Sequence, residues 1–176
     1  MQASVKQLIE ADINRLHPWI AVAAVIAALL LQAYLPLLIP IVSSYANMAD
    51  LPLLVAIYLA LLRRNPVAGL SIGMAIGLAQ DSLSHGPIGL YGILKTLVGY
   101  ACSSLTLVLN VESLGTRVIL VCGFYLVHQG LFWALERVLL DQVVDFAWQR
   151  TFVLAFVNGS LALLVYRFLD RFRERI

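Results

Sequence analysis

The stretch Gly69-Leu70-Ser71-Ile72-Gly73-Met74-Ala75-Ile76-Gly77-Leu78-Ala79-Gln80-Asp81-Ser82-Leu83-Ser84-His85-Gly86-Pro87 decides the fold class of this chain. Its first eleven residues are apolar apart from one serine. Three glycines fall four residues apart, so they line one helix face with bare backbone, against which a neighbouring helix can pack closely. A short polar loop, Gln80 to Pro87, then interrupts the hydrocarbon, and the apolar pattern resumes from Leu90 through Cys102. Here a carboxylate, an imidazole and Lys95 sit between segments with the composition of bilayer-spanning helices, where each charge is costly and needs a partner or a task.

Working outward, the whole chain shares this character. Of its 176 residues, 61% are hydrophobic and 12% charged. That is roughly half the charge of an ordinary soluble domain. The expected class is an all-α integral membrane protein, one domain over residues 1–176, with six transmembrane helices of around 20 residues each and little chain left for an extramembrane enzyme domain. Apolar runs bounded by charge, Pro or Gly place the spans at about 19–38, 50–62, 67–79, 90–109, 116–135 and 151–169. The second and third are short for a core of about 30 Å; residues 44–49 and the Gln80 loop extend them, or the bilayer thins around them.

Loop charge sets the orientation. Lys6, Arg15, Arg63, Arg64, Arg117, Arg167, Arg171, Arg173 and Arg175 fall on one side of a six-span chain. The positive-inside rule makes that side cytoplasmic, together with both termini. The opposite side receives Arg137 and Arg150 with Asp50, Asp81, Glu136, Asp141 and Asp145, and any odd number of spans would scramble the partition. Residues 1–18 read as an amphipathic cytoplasmic leader, with Val5, Leu8, Ile9, Ile13 and Leu16 at helical spacing, and residues 170–176 as a basic cytoplasmic tail. Leu139 to Gln149 has the same period and predicts an outer interfacial helix anchored by Trp148. The first apolar run is too long for a signal-peptide core and ends in Pro36 and Pro40 without a cleavage pattern, which argues for a retained span.

Within the spans, Gly69, Gly73 and Gly77, and on the fourth span Gly92 and Gly99, are expected to carry helix packing. Gln32, Lys95, His128 and Asn158, counted by depth at about 1.5 Å per residue, lie in the middle and outer half of the core. With Asp81, His85, Gly86 and Pro87 they form a candidate outer cleft or partner-binding surface, since polar groups in lipid face one another, water or a partner. Each has a plainer reading. Lys95 can snorkel outward, Asp81 can cap a helix or sit in the outer headgroups instead of pairing with Lys95, His128 can be a hydrogen-bonded core residue, and Asn158 can bond across helices.

Catalytic signatures are missing. Cys102 and Cys122 lie in separate spans without a CxxC; His17, His85 and His128 lack metal-site spacing; and HExxH, GxSxG and phosphate-cradling loops do not occur. The readings are therefore no enzyme, no metal and no cofactor. Lys and Arg scattered over helix ends, without a basic face bearing stacking aromatics, argue against nucleic acid.

Ala49-Asp50-Leu51-Pro52-Leu53-Leu54-Val55, Leu61-Leu62-Arg63-Arg64, Gly69-Leu70-Ser71-Ile72-Gly73, and Gln80 through Leu90, with Asn158-Gly159 before an arginine-rich tail, resemble the bacterial rod shape-determining protein MreD family. The likeness is most specific over Asp50 to Tyr100, and His85 stands where a small residue is expected. The resemblance implies a non-enzymatic inner-membrane scaffold of the cell-wall elongation machinery. Its partners would be a bitopic MreC-like protein and, indirectly, the MreB filament, the RodA glycosyltransferase and a penicillin-binding transpeptidase. It also implies a fold similar to the substrate-binding subunits of energy-coupling factor transporters. The alternative function is a transporter subunit binding a vitamin-like ligand. The thin set of outer polar groups favours the scaffold.

Overall fold

The structure, a computed structural model, describes residues 16–38, 49–84, 87–111, 113–139 and 145–173. They form six α-helices: α1 (Pro18–Leu38), α2 (Leu51–Leu62), α3 (Pro66–Leu83), α4 (Leu90–Leu105), α5 (Leu114–Leu139) and α6 (Trp148–Asp170). Each of the six apolar runs yields one helix. Among the described residues, α5 and α6 are long and apolar enough to cross a membrane.

The centre is α2. Ten of its twelve residues, Pro52 to Leu61, are buried, so protein surrounds it on every side. A helix that is apolar all round must be enclosed. Its sequence also starts it sharply: the Asp50 side chain accepts a hydrogen bond from Leu53 N at 2.9 Å, and a proline occupies the first turn, where no N–H is needed. The next helix repeats the device, with Asn65 Oδ1 accepting from Val67 N at 3.0 Å and Ala68 N at 3.3 Å ahead of Pro66.

Helix directions follow from the contacts. Lys95 meets Asp50 and Ser103 Oγ donates to Ala60 O at 2.7 Å, so α2 and α4 run parallel. Tyr166 Oη donates to Leu54 O at 3.0 Å and Tyr58 Oη to Asp170 Oδ1 at 2.8 Å, so α2 and α6 run parallel as well. The glycines set α3 antiparallel to α4. A Cβ on Gly69 would strike Gly99 O and Ser103, one on Gly73 would strike the Lys95 carbonyl, and one on Gly77 would strike the backbone of Tyr91 and Gly92. The two backbones touch along the stripe, as its spacing predicts, and Gly92 and Gly99 face it from α4.

The exterior is greasy. Val22, Ile26, Leu30, Ile119, Val127, Phe152, Phe156, Leu164 and Phe168 are all exposed on α1, α5 and α6. Apolar cover on this scale suits hydrocarbon surroundings, not water.

Several boundaries differ from the sequence reading. The third helix continues four residues past Ala79, through Gln80 and Asp81 to Leu83, because Asp81 turns inward to cap α4 and its helix can therefore persist. The fourth stops at Leu105, not 109; there Thr106 Oγ1 donates to Ser103 O at 2.7 Å and the chain turns. The fifth and sixth extend to Leu114–Leu139 and Trp148–Asp170, and Asp145 to Ala147 are not helical. The leader apart from Leu16 to Pro18, residues 140–144 of the expected interfacial helix, His85, Gly86 and the last three tail residues lie outside the described residues.

Candidate functional site

One end of the bundle gathers the polar residues. It is built where α1 and α5 approach their C-termini, α3 ends, and α2, α4 and α6 begin. Its hub is Asp50. Lys95 Nζ, on fully buried α4 backbone and side chain, lies 3.0 Å from both carboxylate oxygens. Asp50 N donates to Asn158 Oδ1 at 3.0 Å and Leu51 N to Gln32 Oε1 at 3.1 Å. The opening N–H groups of α2, which no helix can satisfy internally, are thus answered by side chains from α1 and α6 and by Asp50 itself. The carboxylate is favoured twice, by the ammonium and by the positive end of the helix. Lys95 also lies 5.4 Å from the Tyr91 ring centroid.

The second carboxylate has a separate task. Asp81, 1% exposed, accepts from Gly89 N at 3.0 Å, Tyr91 N at 3.0 Å and Gly92 N at 2.9 Å. It therefore holds the N-terminus of α4 from the last turn of α3, four residues beyond Gly77 and on the same face. Gly89 makes the turn with φ +100°, a conformation other residues adopt only with strain. Of the three readings open for Asp81, capping is the one found; Lys95 pairs with Asp50 instead and does not snorkel.

His128, on α5, is 2% exposed and lies flat against Tyr91, with ring centroids 6.3 Å apart and planes 8° apart. Neither of its ring nitrogens has a hydrogen-bond partner among the described residues, so it is not the bonded core histidine expected. Tyr91 stacks on Phe132 too, at 5.5 Å. On the far side of Tyr91 a pocket of about 230 Å³ opens between α1, α3 and α4, lined by Leu29, Gln32, Ala33, Gln80, Leu83, Ser84 and Tyr91. Pro87 and Ile88 stand exposed at the rim of this end, Ile88 at 86%.

At the opposite end Arg117 is buried. Its Nε donates to Val111 O at 2.7 Å and its Nη1 to Asp170 at 2.9 and 3.1 Å, while Tyr58 donates to the same carboxylate. Arg63, Arg64, Arg167 and Arg171 at that end are exposed, and Arg173 is half-buried beside Asp170.

Chemically, this arrangement holds and recognises. Asp50 is paired with Lys95, the Asp81 oxygens are occupied by three backbone N–H groups, and the hydroxyls of Ser82 and Ser84 donate to Leu78 O and Asp81 O. No group of three metal-ligating side chains occurs among the described residues. The sequence reading groups Gln32, Lys95 and Asn158, and they do gather at the start of α2, but Asp50, which binds Lys95 and Asn158 there, is missing from that group. The signal was present: an acid two residues before a proline at the head of an apolar run is a helix start, and its free oxygen is the natural partner for a buried cation. Tyr91, the wall between His128 and the pocket, carried no comparable signal.

The family model of rod shape-determining protein MreD matches residues 13–172 of the chain. No curated protein and no solved structure matches it.

Proposed function

Because the chain belongs to the MreD family of rod shape-determining proteins, we propose that it acts in maintaining cell shape as a non-enzymatic membrane scaffold of the wall-elongation complex. The observation that carries this reading is the family match, which spans all six helices. In this reading all six helices cross the inner membrane, the arginine-rich end faces the cytoplasm, and the Asp50 end faces outward. Both termini are cytoplasmic. The outer end, with Asp81, Pro87 and Lys95 at or beneath its surface, receives the membrane-proximal segment of an MreC-like bitopic partner, and through it the protein is linked to MreB, RodA and a penicillin-binding transpeptidase. The likeness of fold to energy-coupling factor subunits belongs to the same proposal. Nothing in the comparisons favours the transporter function.

Asp81 and Lys95 are buried, so they shape this surface from below, and Pro87 and Ile88 are the residues that would touch a partner. Affinity purification from gently solubilised membranes tests the reading. The MreC-like protein should accompany the wild type, and Ile88→Asp should weaken its recovery and round a rod-shaped host while membrane abundance stays normal. Recovery of a transporter ATPase module instead, or normal rods in a strain lacking the protein, would overturn it.

A further inference from the structure

The pocket behind Tyr91 has an unusual wall. Gln80 is nine-tenths buried, yet its Oε1 has no hydrogen-bond partner among the described residues. Buried polar atoms in native folds are almost always bonded, and an orphan acceptor beside a cavity marks a place where something else supplies the donor. The pocket is polar in character, about 230 Å³ in volume, and bounded by two glutamines, a serine and a tyrosine with Leu29, Ala33 and Leu83.

Among the described residues, no charged side chain lines it. The nearby Asp50 and Lys95 are closed on one another, so an ionic ligand would find no counter-charge. A purely apolar one would leave Gln80 Oε1 unsatisfied. A hydroxyl fits both requirements: it gives its hydrogen to Gln80 and leaves an oxygen free to accept from other donors. A peptide segment suits it less well, because the space holds one small group and not a run of backbone. We propose that the pocket between α1, α3 and α4 is a binding site for a neutral hydroxyl-bearing group of glycerol or monosaccharide size, held by a hydrogen bond to Gln80 Oε1. The group can arrive as a free polyol or as the headgroup of a neutral lipid, since α1 borders the pocket and its apolar outer face meets the hydrocarbon. The proposal goes beyond the scaffold reading and does not depend on it.

The test uses full-length protein in an amine-oxide detergent, which carries no hydroxyl headgroup. Thermal unfolding is followed while glucose, glycerol monooleate or, as control, methyl oleate is added. A saturable rise in midpoint is expected with glucose, assigning a free polyol, or with glycerol monooleate alone, assigning a lipid headgroup, and none with methyl oleate. In Gln80→Leu the apparent affinity should fall about tenfold or more, the loss of one buried hydrogen bond. Without ligand that variant should melt no lower than wild type, because the orphan oxygen is gone. Ala33→Leu, which fills the pocket from the opposite wall, should abolish the rise and serves if Gln80→Leu does not fold. No rise with either hydroxylated probe, an equal rise with methyl oleate, or a rise unchanged in the variants would overturn the assignment.

Discussion

Lys95 is tolerable in the core only while Asp50 is opposite it. Removing one member of a buried ion pair leaves an uncompensated charge and typically costs about 3–5 kcal/mol, whereas replacing both can be nearly neutral. Lys95→Met should therefore lower unfolding stability in detergent by that amount, and Lys95→Met with Asp50→Asn should regain more than half, since asparagine still caps α2. Equal losses for the single and double variants in denaturant titrations would show that the pair does not couple. Asp81 behaves otherwise. Its two oxygens are occupied by three N–H groups of the α4 start, so exchanging charges between Asp81 and Lys95 should rescue nothing, and Asp81→Ala alone should cost about 1–2 kcal/mol as a lost cap. Sequence spacing made Asp81 the nearer candidate for Lys95. The actual partner lies 45 residues away, a separation that only the parallel packing of α2 and α4 brings to 3.0 Å.

Among the elements, α3 and α4 are the pair most dependent on the absence of side chains. Gly73→Ala already places a methyl group against the Lys95 carbonyl, and Gly73→Leu cannot be housed without separating the helices. Overpacking of this kind costs about 1–3 kcal/mol, so the Gly73→Ala midpoint in detergent should fall, while Gly123→Ala, which meets open space, should melt as wild type. Identical curves for the two would mean that the stripe does not bear on packing. This stripe was legible in the sequence because small residues at a fixed interval have one physical use in a helix. The end of α3 was not. Gln80 and Asp81 look like a loop to any reading based on hydropathy, and only the α4 backbone that Asp81 serves explains why they remain helical.

For the molecule as a whole, the two ends are chemically distinct, one holding the Asp50 and Asp81 carboxylates and the other the arginines around Arg117. If the arginine end is cytoplasmic, a cysteine at Ser84 should react with an impermeant thiol reagent on intact spheroplasts, and one at Asn65 only after lysis. Labelling of position 65 from outside would invert or break the six-span arrangement. The central α2 has a consequence for how such a chain is made. Its head is bonded to Asn158, 108 residues downstream, and its tail, through Tyr58, to Asp170, 112 residues downstream. Until ribosomes deliver α6, this helix stands with the Asp50 N–H at one end and the Tyr58 hydroxyl near the other short of their final partners. A nascent chain cut after residue 147 should be degraded by membrane proteases in pulse-chase labelling, although it carries α1 to α5: a helix made late certifies the first half of the protein as finished.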